Sequence, residues 1–338
     1  MEDGIRRHYS PEIKREAFAR YRIEPGGVRE LPGFESFIYE FTDSESHARR
    51  ILRVGHSSRR SVEAVRAELD WIAHLAGGGA AVAEGVPSPG GHLVEVVPDG
   101  DGGEFVAAAF VYAEGVGPRT EDTLIDIAEA YGRAVGRMHA LTKSYSPSEA
   151  TWTREHWDHP TMLNARKWLP ETESVAAARL EEVIASCRAL PRDGDSYGLV
   201  HQDAHGGNFH IGADGLLTFF DFDDCGYTWF ANDIAIVMFY AALFKDDPPA
   251  FLARFMPLFL KGYASENSLD PAWLAEMPLF LKLREIGLYA VIHRSFDVED
   301  LTNAWVSRYM DGRRARIEEG APFVDFDFTS LADGPTGA

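Results

Sequence analysis

Residues 201–224 read HQDAHGGNFHIGADGLLTFFDFDD and hold three histidines, five aspartates and no lysine or arginine. The segments NFHI and LLTFFD flank GADG, which marks a β-hairpin with a two-residue turn at Asp214 and Gly215. That register sets Asn208 opposite Asp221, with Cα atoms roughly 4.5–5.5 Å apart as in any antiparallel ladder. LLTFF is apolar on both faces and is expected to be buried, so Asp221 and Asp223 fall at the end of a core strand, where uncompensated carboxylates are costly. From Asp193 to Phe244 there are eight acids and no Lys or Arg. Such a cluster asks for a counter-charge, and Mg²⁺ suits it, because that ion takes one or two carboxylates, keeps several waters and draws its other ligands from phosphate.

The rest of the chain gives this stretch an ordinary setting. With 338 residues, 45% of them hydrophobic, there is material for two domains or one large two-lobed unit. The formal charge of -20 disfavours nucleic acid and anionic membrane as partners and would tolerate a cationic substrate. Two cysteines, Cys187 and Cys225, are too few for a disulfide framework and show no CxxC spacing. MEDGIRRHYS has no apolar run like that of a signal peptide, and Ile234 to Phe244 is too short to span a bilayer, so a cytoplasmic location is expected.

Up to about residue 112 the pattern is mainly sheet. LPGFESFIYEF and ARRILRVGH read as a strand pair; HLVEVV and EFVAAAFVYAEG add further strands. Between them Ser57, Ser58 and Ser61 offer N-caps for the helical run SVEAVRAELDWIAHLA. From Leu124 onward apolar residues recur at helical spacing, and Asn232 or Asp233 offers a cap for IAIVMFYAALF. The boundary falls near residues 112–118, giving lobes at 1–114 and 115–330 and a frayed tail at 331–338.

HxDxxxxN at His201, Asp203 and Asn208, followed thirteen residues later by DFDD, resembles the catalytic signature of the aminoglycoside phosphotransferase and choline kinase group, within the protein-kinase-like fold. The resemblance covers about Glu24 to Ser330 and implies an α+β, two-lobed chain, with a small antiparallel sheet lobe carrying one helix and a larger helical lobe. It implies Asp203 as the residue that orients and deprotonates an acceptor hydroxyl, Asn208 and Asp221 as Mg²⁺ ligands, and Asp223 as an assisting ligand. His201 would shape the catalytic loop, and Asp233 would tie its backbone to the next helix. ATP is the implied donor, with GTP as the alternative.

The same resemblance calls for a strand cation that reaches the α and β phosphates and pairs with a helix glutamate. Arg53 in ILRV and Glu68 in VRAELDW fill these places, with arginine standing where lysine is usual in the family. The phosphate-covering turn is expected at Gly33 to Ser36, although no GxGxxG or Walker pattern is present. For the adenine, Phe110, Val111 and Tyr112 lie in the connection between lobes. The acceptor, a small-molecule hydroxyl compound, is expected near Asp224, Tyr227 and Trp229, with Trp157 and Asp158, where aromatics and carboxylates would hold an ammonium. Three other readings compete: a protein serine/threonine kinase of the bacterial stress-response type, a zinc metallohydrolase using His201, Asp203, His205 and His210, and a non-catalytic nucleotide-binding module.

Overall fold

The computed structural model describes residues 3–333. In chain order it forms α1 (Asp3–His8), α2 (Pro11–Arg20), β1 (Arg29–Leu31), β2 (Phe37–Thr42), β3 (Arg49–His56), α3 (Val62–Gly77), β4 (Gly85–Val86), β5 (Glu95–Pro98) and β6 (Glu104–Val111). Then come α4 (Glu121–Asp126), α5 (Ala128–Thr142), α6 (Ala165–Trp168), α7 (Ser174–Arg188), β7 (Tyr197–Val200), β8 (Phe209–Ile211), β9 (Leu217–Phe219), β10 (Gly226–Trp229), α8 (Phe230–Ala242), α9 (Pro248–Ala264), α10 (Met277–Ser295), α11 (Ala304–Met310) and α12 (Arg313–Glu318). Residues 331–333 of the expected tail complete a 3₁₀ turn, Phe328–Asp333; residues 334–338 lie outside the described residues.

Two compact units result. One comprises Met1–Gly115, Tyr145–Arg154 and His210–Asp223; the other comprises Val116–Ser144, Glu155–Phe209 and Asp224–Ala338. The first is built on a six-stranded sheet of order β1-β2-β3-β6-β4, with β5 also on β6. Its pairings are antiparallel. Period-2 alternation buries Tyr39 and Phe41 from β2 and Leu52 and Val54 from β3 against Ile13, Ala17 and Phe18 of α2. Of the three candidate serines it is Ser61 that caps α3, its hydroxyl accepting from the Ala64 N–H at 3.1 Å.

The hairpin at 210–223 packs with this sheet unit rather than with the helices that follow it in sequence. The Ala83 N–H donates to the Phe219 carbonyl at 2.8 Å and the Phe219 N–H donates to Ala81 at 3.0 Å, which ties β9 to the chain before β4. Its turn also differs from expectation. The Gly212 N–H donates to Leu216 O, and Gly215 N–H to Gly212 O, with Gly215 at φ +81°; this is a three-residue loop with glycine in the left-handed position. The extra loop residue moves the ladder by one from the register that would oppose Asn208 to Asp221. Asp221 instead lies past the end of β9, exposed and at φ +63°.

The second unit is helical. α5 and α9 approach so closely that a Cβ on Gly132 would lie 1.8 Å from the Phe259 carbonyl oxygen, and one on Gly262 1.9 Å from that of Glu129. α8 is apolar nearly all round and is buried nearly all round, as such a helix must be. It starts at Phe230, before both expected caps. Asn232 instead donates to the Thr228 hydroxyl at 3.1 Å, and Asp233 sits inside the first turn with work of a different kind.

Candidate active site

In the second unit, β7 delivers the chain to His201, which is fully buried, and the backbone then turns sharply at Gln202, φ +59°. A side chain at positive φ is strained, so something must hold it there. Asp233 does so: one carboxylate oxygen accepts from the Gln202 N–H at 2.8 Å and the other bonds His139 Nε2 at 3.0 Å. His139 Nδ1 continues to the Tyr263 hydroxyl at 2.9 Å, and Tyr131 donates from α5 to the Ala204 carbonyl. The loop is thus fastened to α5, α8 and α9 by buried polar bonds, each strengthened by the low dielectric around it.

This frame presents Asp203. Its Oδ2 accepts from Asn208 Nδ2 at 2.9 Å and faces His205 Nε2 at 3.4 Å; its Oδ1 meets Arg284 Nη2 from α10 at 2.5 Å. The same Arg284 nitrogen donates to the Tyr240 hydroxyl at 2.6 Å. Burial alone would raise the Asp203 carboxyl, but His205 and Arg284 outweigh it and hold the group well below the usual carboxylate range. Burial, offset in part by Arg284, pushes the Tyr240 phenol up to about 12, so it stays neutral and can donate. Asn208 Nδ2 also donates to the Asp203 carbonyl at 2.9 Å. With its amide nitrogen turned to Asp203, Asn208 presents its carbonyl oxygen as the atom suited to a hard cation.

The sign of the Asp203 shift gives a pH prediction. A carboxyl lowered in the folded state stays ionised down to that lowered value and is lost only as pH falls through it. Arg284→Met removes an opposing charge whose presence lowers such a group by about 1–3 units. The acid limb of the kcat profile should therefore move up by about that amount in the variant; a profile that stays in place would contradict the assignment of Arg284.

The first unit holds the other group of expected residues. Arg53 and Glu68 form a buried bidentate pair, Nη1 to Oε1 at 2.8 Å and Nη2 to Oε2 at 2.6 Å, with Arg53 at 6% exposure and Glu68 at 0%. Asp223 is close by, its carboxylate 3.8 Å from Arg53 and in contact with Arg59. Its carbonyl accepts from Arg60 at 3.1 Å and Arg154 at 2.5 Å. The counter-charge that the acidic stretch lacks in sequence is therefore supplied partly by arginines from β3, the segment before α3 and residue 154. Gly33 to Ser36 forms the β1–β2 turn, where a Cβ on Gly33 would lie 2.0 Å from the Ser36 carbonyl oxygen, so only glycine fits. Glu35 of this turn comes within 3.7 Å of Arg59. Phe110 packs under the Arg53 guanidinium at 5.0 Å. The Val111 and Tyr112 N–H groups are already used by the carbonyls of Glu84 and Arg49.

The residues expected at the acceptor divide. Asp224 is close enough to act electrostatically on Arg284 and Tyr240, which places it with the Asp203 cluster. Trp157 and Trp229 are core residues at 3% and 0% exposure, packed on each other at 5.5 Å, and Asp158 is paired with Arg188 at 2.8 Å. The Tyr227 carbonyl accepts from the Tyr197 hydroxyl at 3.0 Å. A cavity of 420 Å³ instead opens beside the catalytic loop, with Leu124, Tyr240 and Trp305 in its wall. Arg284 and Tyr240 were not legible from spacing, because Lys282, Arg284 and Glu285 stand together in FLKLREIGLYAV and nothing in the pattern singles out the arginine. For the zinc reading, among the described residues no group of three or more His, Cys, Asp or Glu is placed to hold a metal, and His210 Nδ1 bonds the Ala113 carbonyl at 2.6 Å in the sheet unit. Among the described residues, no helix is long and apolar enough to cross a membrane.

Comparison with known proteins agrees with this architecture. The amicoumacin kinase of Bacillus subtilis (strain 168) is 39% identical over 328 residues, covering 96% of each chain. A solved amicoumacin kinase in complex with AMP-PNP, Ca²⁺ and Ami is 36% identical, with a TM-score of 0.91 over 98% of this chain and 100% of that one. Spectinomycin phosphotransferase, at 14% identity and TM-score 0.58 over 95% of this chain and 97% of that one, shares the fold. The named relatives are small-molecule kinases, which leaves the protein-kinase, zinc-hydrolase and non-catalytic readings without support. The sequence pattern of the phosphotransferase enzyme family matches residues 27–271, and the chain belongs to that family.

Proposed function

We propose that this protein transfers the γ-phosphate of ATP to a hydroxyl of a small molecule, with amicoumacin the first acceptor to try, given the relatives that carry that name. The observation that carries the reading is the pinned loop on which Asp203 is ionised and Asn208 directs its carbonyl away from the base. A bound Mg²⁺ would neutralise charge on the phosphate oxygens. Asn208 and Asp221 are the proposed protein ligands. Asp223 is a weaker candidate, because an ion there must compete with Arg59 and Arg53. Arg53, locked by Glu68, supplies a planar fork for phosphate.

Asp203 acts mainly by placement. Its low pKa makes it a poor base in the ground state, which suits a largely dissociative transfer in which the hydroxyl proton is lost late. The acceptor oxygen bonds to the γ-phosphorus as the bond to the bridging oxygen breaks. The electron pair leaves on ADP, and the hydroxyl proton passes to Asp203.

ADP release tests this directly. Purified protein with ATP, Mg²⁺ and amicoumacin should release ADP faster than without the acceptor; EDTA should abolish the release and excess Mg²⁺ restore it. Release that ignores EDTA would sink the metal assignment, and release that ignores every added alcohol would sink the transfer.

A further inference from the structure

Asp223 is the point on which four arginines of the first unit converge. Its backbone carbonyl accepts from Arg60 at 3.1 Å and Arg154 at 2.5 Å, while its carboxylate lies 3.8 Å from Arg53 and in contact with Arg59. The four are not equivalent. Arg60 and Arg154 hold backbone, and Arg154 also donates to the Ala64 carbonyl at 3.1 Å. Arg53 has both terminal nitrogens on Glu68, at 2.8 and 2.6 Å, in a buried pair. Arg59 projects from the turn between β3 and α3 and spans two carboxylates, Asp223 on one side and Glu35 at 3.7 Å on the other. Its backbone is fixed, because its own N–H donates to the His56 carbonyl at 3.0 Å and Ser57 exchanges bonds with Glu104 at 2.9 and 3.0 Å. The Gly33–Ser36 turn that carries Glu35 lies against β3, where a Cβ on Gly55 would come 3.3 Å from Ser36 Oγ.

A triphosphate covered by that turn meets the Asp223 and Glu35 carboxylates unless the cation between them turns to it. Arg53 can offer only the N–H bonds that Glu68 leaves over, and drawing it away would strand a carboxylate at 0% exposure. Arg59 has no such tie, since Arg53 stays 3.8 Å from Asp223 to compensate it when Arg59 departs. A guanidinium also matches phosphate oxygens in the two-pronged way it matches a carboxylate, and a terminal phosphate carries more charge. We infer that Arg59 is a phosphate-binding residue that exchanges partners: Asp223 holds it in reserve, and the terminal phosphates of ATP take the place of that carboxylate. The inference rests on the phosphotransfer reading for the nucleotide.

Calorimetric binding of ATP and of AMP, with Mg²⁺ and no acceptor, separates this role from a structural one, because AMP lacks the phosphates that Arg59 would hold. Arg59→Met should weaken ATP by about tenfold to a hundredfold, the loss of charge-assisted bonds to phosphate, and leave AMP within about twofold. Arg59→Lys should restore part of the loss. Unchanged ATP affinity in Arg59→Met, or equal weakening of both nucleotides, overturns the proposal. Asp223→Asn tests the exchange itself. In EDTA, where no metal bridges nucleotide and carboxylate, this variant should bind ATP several-fold tighter than the wild type, since Arg59 no longer leaves a charged partner. Adding Arg59→Met should erase that gain. Equal or weaker binding by Asp223→Asn, or a gain that persists in the double variant, overturns the exchange. Wild-type protein that binds neither nucleotide with Mg²⁺ would instead sink the phosphotransfer reading, and the proposal with it.

Discussion

Asp203→Asn should lower kcat by roughly 10²–10⁴-fold, the range for loss of a positioned acid–base group, with KM for ATP left in place. The substitution keeps the shape of the side chain and its bond from Asn208 but gives up the charge that pairs with Arg284 and orients a hydroxyl. Asp203 and Arg284 are mostly buried, at 20% and 23% side-chain exposure, and the fold favours the ionised carboxylate, so the neutral amide should also cost some stability. A melting curve beside the kinetics separates the two effects. A variant that folds normally and keeps the wild-type rate would remove Asp203 from the chemistry.

Arg53→Met should act first on stability. Glu68 has no exposure at all, so removing its partner leaves a buried carboxylate uncompensated, at a cost of about 3–5 kcal/mol. The double substitution Arg53→Met with Glu68→Leu should recover much of that loss, since a buried ion pair replaced by packed apolar groups is often neutral. It should not recover a low KM for ATP. Denaturant melts and ATP kinetics on both variants check this, and a double variant with wild-type ATP kinetics would show that Arg53 is structural only.

The sequence carried the parts of this molecule that depend on local pattern. Alternation in FIYEF and ILRV marked paired strands of the sheet, helical spacing in VEAVRAELDWIAHLA marked α3, and the coupled spacing of Asp203, Asn208 and Asp221 pointed to the family. What it did not carry depends on contacts between distant segments. Arg284 reaches Asp203 across 81 positions, and His139 reaches Asp233 across 94, so neither leaves a trace in spacing. The hairpin register failed for a smaller reason. GADG fits both a two- and a three-residue turn, and the choice of left-handed Gly215 moved every pairing by one. The two tryptophans expected at the acceptor went into the core, where large aromatics usually go, and the exposed Trp305 was indistinguishable from them in sequence.

The most direct measurement of the central claim is the identity of the product. Protein incubated with ATP, Mg²⁺ and amicoumacin, analysed by phosphorus NMR and mass spectrometry, should yield acceptor carrying one phosphate on a hydroxyl oxygen, in step with ADP, and Asp203→Asn should yield almost none. ADP accompanied by inorganic phosphate with the acceptor unchanged across a panel of small alcohols, or equal product from the variant, would contradict it.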